Sequence, residues 1–203
     1  IFIIDTKSCN NIETYATLRF LNKTVIQDNF IIIRDSDTQE PTEIKRRLIN
    51  RFRENLGEEI PENLEDRILV LEFSSLDNYF LDMEILKSLG IVRDEDDFYN
   101  KIDRYITSDR EFICNYLHEK NDEERANELE GLIYSEESIV DRMDVLRKYV
   151  RGHNLFGVFG LLKRKTSQYI DLSSEEQFSE IIEFLDGVDY FFSNKIRYQD
   201  SLA

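Results

Sequence analysis

Two aspartates one residue apart are the side chains in this sequence best suited to chemistry. Asp35 and Asp37 follow the apolar run "FIII" and Arg34, and Pro41 comes soon after. Carboxylates at the exit of a buried strand can turn toward one cation, because the backbone bends there and breaks the alternation of side chains. Oxygen ligands favour Mg²⁺ or Mn²⁺, which bind phosphate oxygens and activate water. The spacing predicts a site for phosphoryl-transfer chemistry, although two exposed turn residues would look the same.

The elements that must position these aspartates read as alternating strands and helices. Three apolar runs indicate buried strands, "IFIID", "FIIIRD" and "RILVLEF". Helical spacing of apolar residues lies between them, in "IETYATLRFLNK" and in a segment that begins at about Thr42 after Pro41. This order predicts a parallel sheet with helical crossovers. Ligands bind beyond the carboxyl ends of such strands, which is where Asp35 and Asp37 lie.

From about Leu81 onward the pattern is helical, including "MEILKSLG", "DEERANELEGLIY" and "EESIVDRMDVLRKYVRG". We therefore expect an α/β protein: a Rossmann-like parallel-sheet core over residues 1–90, and a mostly helical C-terminal region over residues 91–203 that packs on this core. The acidic run from Glu119 to Glu137 is interpreted as a solvated helical face.

Composition limits the possible functions. The 203 residues carry 42 acidic and 26 basic side chains, a net charge of −16 that repels phosphate backbones. A nucleic-acid function therefore needs a local basic patch, bound metal ions or a basic partner domain. Cys9 and Cys114 match no metal or redox spacing, which predicts reduced thiols and a cytoplasmic protein. No apolar run approaches the roughly 20 residues that span a bilayer, so no membrane partner is expected.

A second segment strengthens the hypothesis for the aspartates. After the third strand comes "SLDNYFL", with Asp77 inside it. The order of "IIIRDSD" and "SLDNYFL" resembles the Toprim domain of the overcoming-lysogenization-defect nucleases, which include the nuclease subunit of Gabija-type phage defence. The resemblance covers roughly residues 1–90, with a further similarity at "YVRGHNLFGVF".

The resemblance implies a metal-dependent endonuclease of bacterial anti-phage defence. Asp35, Asp37 and Asp77 would be catalytic ligands of Mg²⁺ or Mn²⁺. The substrate would be nucleic acid, with DNA favoured over RNA, and the partners an ATPase domain or subunit in an oligomeric assembly. A plainer role for Asp77 is the N-cap of a helix that begins near Asn78, and both roles are compatible.

The sequence departs from the family pattern at two points. The family's catalytic glutamate lies on a strand that would precede Ile1, so we expect either a longer polypeptide or a domain that cannot cut. The family also has a lysine after a glycine in the helical region, where this chain has Gly152 and His153. His153 is a candidate catalytic residue and otherwise a loop or cap residue. The candidate phosphate-binding cations are Lys148, Arg151, Lys163, Arg164 and Lys165.

Two other functions fit the same residues. The run "IIIRDSDT" also resembles the motif of haloacid-dehalogenase-like phosphatases, in which Asp35 would be the nucleophile and Asp37 a general acid and base. That family has its motif on the first strand and glycine where this chain has Thr38 or Gln39. The other alternative is a non-catalytic Toprim-like module that assembles with an ATPase, which the net charge and the missing glutamate favour.

Overall fold

The computed structural model describes residues 31–56, 63–108, 123–135, 138–161 and 176–187. These residues are mostly helical, with a small two-stranded parallel sheet among them, and this agrees with the predicted α/β class. The strand predicted at "IFIID" and the helix predicted at "IETYATLRFLNK" lie outside the described residues. The described chain divides into two compact units, one with residues 31–36, 40–56, 63–71 and 178–187 and one with residues 37–39, 72–108, 123–135, 138–161 and 176–177. The predicted domain boundary near residue 90 stays a prediction.

The first unit contains the sheet. Strand β1 (Ile32–Arg34) pairs in parallel with strand β2 (Ile68–Val70), and Ile32 lies opposite Ile68 in the register. The pairing continues past the strands, because the Leu71 amide donates a hydrogen bond of 2.8 Å to the Arg34 carbonyl. Both strands fall within the predicted runs "FIIIRD" and "RILVLEF". Their parallel pairing is the arrangement that the alternation of strands and helices predicts.

Helix α1 (Pro41–Leu56) covers this sheet. Pro41 occupies the first helical position, where its fixed φ suits the helix and its missing N–H would have no helical partner. The apolar face predicted for this helix is buried with residues of β2 and of the 3₁₀ helix Leu64–Arg67 that precedes it. The resulting core consists of Ile44, Leu48, Ile49, Phe52, Leu64, Ile68 and Val70, with Ile32 packed against it.

The second unit consists of helices. Its elements are the 3₁₀ helix Leu76–Phe80, α2 (Met83–Ser88), α3 (Glu95–Ser108), α4 (Glu123–Ser135), α5 (Ile139–Tyr149) and α6 (Gly152–Val158). Helix α5 packs against α3, α4 and the 3₁₀ helix, while α6 packs against α3 and the 3₁₀ helix. Stacked rings of Phe98 and Phe159, 5.4 Å apart, join α3 to the end of α6.

Side-chain caps fix where two of these helices begin. Asp82 accepts hydrogen bonds from the amides of Glu84 (2.8 Å) and Ile85 (3.1 Å), and this satisfies two of the orphan donors at the start of α2. Ser138 caps α5 by accepting from the Val140 amide at 3.2 Å. After a short 3₁₀ turn, Glu176–Phe178, residues 179–187 form a further helix. Within the described ranges no helix is both long and apolar enough to cross a membrane.

Candidate functional site

The two aspartates of the sequence hypothesis leave β1 in succession. Asp35 is half-buried and belongs to the first unit, whereas Asp37 is half-buried and belongs to the second. Asp37 has a φ of 48° and Thr38 a φ of 70°, so both adopt left-handed backbone. Aspartate tolerates this conformation, but it is a clear outlier for a β-branched residue such as threonine. The turn after Asp35 therefore needs contacts that hold it.

One such contact joins the turn to the segment that follows β2. The Asp37 amide donates a hydrogen bond of 3.0 Å to the Ser74 carbonyl. The Ser74 amide in turn donates to the Arg147 carbonyl at 3.1 Å, at the end of α5. Asp37 is thereby hydrogen-bonded to Ser74, the residue before "SLDNYFL". Through Ser74 it is connected to the end of α5.

Asp77 lies inside the 3₁₀ helix Leu76–Phe80, and Ser75 is the residue that precedes this helix. The suggestion that Asp77 caps a helix beginning near Asn78 is therefore wrong. The N-cap in this region is Asp82, five residues later, which begins α2. Both positions combine an aspartate with a following apolar segment, so the sequence pattern alone does not separate them.

Asn78 anchors the 3₁₀ helix that carries Asp77. Its side-chain amide is fully buried and donates to the carbonyls of Arg147 (2.6 Å) and Val150 (2.9 Å). Arg147 lies in the last turn of α5 and Val150 directly follows this helix, and carbonyls at a helix end lack intrahelical partners. A buried carbonyl without a donor costs about 1–3 kcal/mol. Asn78 thus completes the C-terminal end of α5 and fixes Asp77 beside it.

Gly152, the first residue of α6, lies directly against the same turn. Its amide donates to the Ser75 hydroxyl at 3.1 Å. A β-carbon built on Gly152 would lie 2.5 Å from the Asp77 Cβ and from the Ser75 Oγ, and it would also overlap the Asn78 Oδ1. Only glycine allows α6 to approach this closely. The similarity noted at "YVRGHNLFGVF" thus falls on a residue that packs against "SLDNYFL".

Arg147 supplies a half-buried positive charge next to the 3₁₀ helix that carries Asp77. Its guanidinium lies over the Phe73 ring, 4.2 Å from the centroid, and its Nε donates to the Asn78 carbonyl at 3.3 Å. Burial lowers the pKa of Arg147, while the carboxylates of Asp144, Asp82 and Glu72 act in the opposite direction. An arginine remains charged under these conditions. The 3₁₀ helix that carries Asp77 therefore accepts a hydrogen bond from Arg147, and the residue before this helix, Ser75, accepts one from Gly152.

His153 and Asp77 interact electrostatically. Burial raises the pKa of Asp77, and the nearby His153 partly offsets this by lowering it. Burial thus disfavours the charged form of the half-buried Asp77 carboxyl group. His153 is the exposed second residue of α6 rather than a loop residue. The structure thus brings together two of the predicted catalytic residues.

Asp77→Asn should stabilise the protein at pH 7 but not at pH 3. Because the folded-state pKa of Asp77 is raised, the stability that its protonated form contributes is fully present below the unfolded pKa of about 3.9 and is lost as pH rises through the folded pKa. Asparagine removes this loss. Urea unfolding at both pH values, without divalent metal, measures the difference. Asp96→Asn, at an exposed position of α3, controls for the change in net charge. An equal effect of Asp77→Asn at both pH values would contradict the assignment.

The predicted phosphate-binding cations have different surroundings. Lys148 forms an ion pair of 3.1 Å with Glu72, and both side chains are exposed. Arg151 is an exposed residue immediately before α6. Lys163, Arg164 and Lys165 lie outside the described residues. Of the predicted cations, the structure thus describes Lys148 and Arg151. Both are near Gly152 and His153 in the sequence.

The described ranges contain no group of three or more His, Cys, Asp or Glu side chains arranged to hold a metal ion. The predicted set of Asp35, Asp37 and Asp77 is therefore not assembled there as a three-ligand cage. Asn78 and Arg147 contact each other beside Asp77, and Arg125 donates a hydrogen bond to the Thr38 carbonyl, but none of the three was among the predicted residues. The sequence did point to Asn78, since it lies inside "SLDNYFL", whereas the two arginines act through contacts between residues distant in sequence.

Comparison of the chain with protein-family models, curated proteins and solved structures finds no match.

Proposed function

We propose that this protein is the Toprim-like part of a metal-dependent endonuclease that acts with an ATPase region or subunit in bacterial defence against phage. The substrate is nucleic acid, DNA rather than RNA. The observation that supports this most is the parallel pairing of β1 with β2. Because of this pairing, the two acidic segments of the sequence, "RDSD" and "SLDNYFL", come after neighbouring parallel strands. Ligands of α/β proteins bind beyond the carboxyl ends of such strands.

Backbone contacts beyond the strands support the same proposal. In the first unit Leu71 donates to the Arg34 carbonyl, and in the second unit Asp37 donates to the Ser74 carbonyl. The first bond joins the last residue of β1 to the residue after β2, and the second joins a residue after β1 to a residue after β2. The 3₁₀ helix with Asp77 begins two residues after Ser74. Within the second unit, the bond from Asp37 to Ser74 therefore joins the end of "RDSD" to the residue before "SLDNYFL", which supports the proposal.

The donor set fits a hard divalent cation. Mg²⁺ is commonly held by one or two carboxylates, and water and substrate phosphates complete its shell. Asp35 and Asp37 supply that number of carboxylates without a third protein ligand. When bound, Mg²⁺ or Mn²⁺ would polarise a phosphate and favour hydroxide formation from water. The two aspartates are thus the proposed ligands, and Asp77 is an accessory carboxylate.

The remaining residues of the site have roles that follow from their surroundings. The raised pKa of Asp77 means that it holds a proton more readily than an exposed aspartate does. The exposed His153 lies close enough to Asp77 to lower the pKa of its carboxyl group. Arg151 is an exposed residue, and the planar guanidinium of an arginine matches the geometry of a phosphate. With a net charge of −16, the chain needs such local cations, or a basic ATPase partner, to approach DNA.

Metal binding gives the first test of this proposal. At ten times its dissociation constant, Mn²⁺ should stabilise the protein by about 1.4 kcal/mol through mass action. The double variant Asp35→Asn/Asp37→Asn should lose this response, while its stability without metal stays the same or rises, because two like charges close in the chain are removed. Asparagine suits position 37, since it tolerates the left-handed backbone found there. Thermal unfolding with Mn²⁺, Mg²⁺ or a chelator measures the response.

Asp96→Asn/Asp186→Asn is the matched control. Both of these aspartates are exposed on helices, so the control removes the same charge without touching the turn. It should respond to Mn²⁺ as the parent does. A parental response in the Asp35→Asn/Asp37→Asn variant would contradict the proposal. Metal-dependent hydrolysis of a phosphomonoester in place of DNA would instead support the phosphatase alternative.

A further inference from the structure

The turn at Asp37 has an unfavourable backbone. Asp37 and Thr38 are consecutive residues with positive φ, and Thr38 is buried. Non-glycine residues held in such conformations cost about 1–3 kcal/mol each, so they persist where surrounding contacts fix them. The Asp37 amide is held by Ser74, as described above. A second contact holds the residue that follows.

Arg125 provides that second contact from a distant part of the chain. This residue of α4 donates from Nη2 to the Thr38 carbonyl at 3.1 Å. Its Nη1 forms an ion pair with Glu128 at 2.6 Å, and its guanidinium lies 5.2 Å from the centroid of the Tyr149 ring. The side chain is 22% exposed. Glu128 and Tyr149 therefore help to fix the guanidinium that holds the Thr38 carbonyl.

We propose that Arg125 is a positioning residue for Asp37. It holds the Thr38 carbonyl and thereby keeps the backbone of Asp37 in the left-handed conformation that directs the carboxylate. The inference rests on the proposed function, in which this carboxylate binds a divalent cation. The planar guanidinium donates in two directions and stacks on a ring at the same time, which an ammonium group does not do. Lysine at this position should therefore not replace arginine.

The test compares Arg125→Ala and Arg125→Lys with Arg142→Ala. Arg142 is a matched control, because it is an arginine of α5 with 25% side-chain exposure and an ion pair of 3.7 Å to Asp103. Both Arg125 variants should weaken Mn²⁺ binding about 10-fold or more, the usual range for residues that orient a ligand. Arg142→Ala should change the dissociation constant less than about twofold, although it also removes an ion pair. Mn²⁺ titration of the whole protein gives the constants.

A rescue and a metal-free measurement separate positioning from general destabilisation. Thr38→Gly in the Arg125→Ala protein should recover part of the lost Mn²⁺ affinity, because glycine adopts positive φ without steric cost. Hydrogen exchange of the Asp37 amide, measured by NMR without metal, should accelerate in Arg125→Ala but not in Arg142→Ala, since the bond to Ser74 opens more often.

The outcomes distinguish this inference from the proposed function. Unchanged Mn²⁺ affinity and unchanged Asp37 exchange in Arg125→Ala would overturn the positioning role, as would an equal loss in Arg142→Ala. If the parent protein does not bind Mn²⁺, the proposed function fails, and the amide exchange alone decides the role of Arg125. Faster exchange specific to Arg125→Ala would then still support it, and equal exchange in all three proteins would overturn it.

Discussion

Gly152→Ala is expected to lower the free energy of unfolding by about 2–3 kcal/mol, in the upper part of the range for overpacked sites. The added methyl group would lie 2.5 Å from the Asp77 Cβ, an atom fixed to the backbone. It would also overlap the Asn78 Oδ1, which has little freedom because the Asn78 amide donates to two carbonyls of α5. Helix α6 must therefore move away from the 3₁₀ helix, and the bond from Gly152 to Ser75 is weakened with it.

An opposing effect is smaller than this steric cost. Alanine is favoured over glycine inside a helix by about 1 kcal/mol, and less at the first position of α6. The clash therefore determines the sign. Urea unfolding of Gly152→Ala gives the free energy, and a metal titration of the same variant shows whether the turn with Asp77 is disturbed.

Gly131→Ala is the matched control for Gly152→Ala. Gly131 lies inside α4, and a β-carbon built there meets no atom within 4 Å. This substitution should stabilise the protein by about 0.5–1 kcal/mol, because only the helix propensity and the entropy of the unfolded chain change. If both glycine variants gained stability, the close approach of α6 to Asp77 would be contradicted.

Local patterns were sufficient to predict much of the fold. The apolar runs around Ile32 and Ile68 indicated strands, and their parallel pairing followed from the helical segment between them. The prediction that the first of these strands is buried is wrong at Ile33, which is 39% exposed. Pro41 predicted the start of α1, because a proline at the first helical position loses no helical hydrogen bond. The helices over residues 83–88 and 139–149 likewise fall inside predicted segments, and the helix over residues 123–135 extends one residue beyond its predicted segment. In each case burial and capping act over a few residues of sequence.

The site was less accessible to prediction, because its contacts join residues far apart in the chain. Asn78 binds carbonyls 69 and 72 residues away, and Arg125 reaches Thr38 across 87 residues. No periodicity encodes such pairs. Helix α6 was not predicted because it has only seven residues and includes two glycines, Gly152 and Gly157. Packing against the 3₁₀ helix stabilises it, whereas isolated helices of this length are unstable in water.

Asp35→Asn or Asp37→Asn is expected to lower the rate of DNA cleavage on the order of 100-fold or more. Removing one charged ligand weakens the cation that stabilises the developing charge on the phosphate, and losses of about 10²–10³ are typical when an electrostatic contact of this kind is removed. The two substitutions should not be additive, because both ligands serve one cation. Neither should lower the stability of the metal-free protein, and this separates loss of chemistry from loss of folding.

The most direct test that Asp35 and Asp37 hold a catalytic cation is a single-turnover cleavage assay on duplex DNA with the protein and the proposed ATPase partner. The rates of the parent, Asp35→Asn/Asp37→Asn and the control Asp96→Asn/Asp186→Asn are measured with Mg²⁺, with Mn²⁺ and with a chelator. The account predicts that the parent and the control cut with either metal, that neither cuts in the chelator, and that the Asp35→Asn/Asp37→Asn protein is slower by at least about 100-fold. Cleavage by that variant at the parental rate, or a folded parent that binds Mn²⁺ and does not cut, would contradict it.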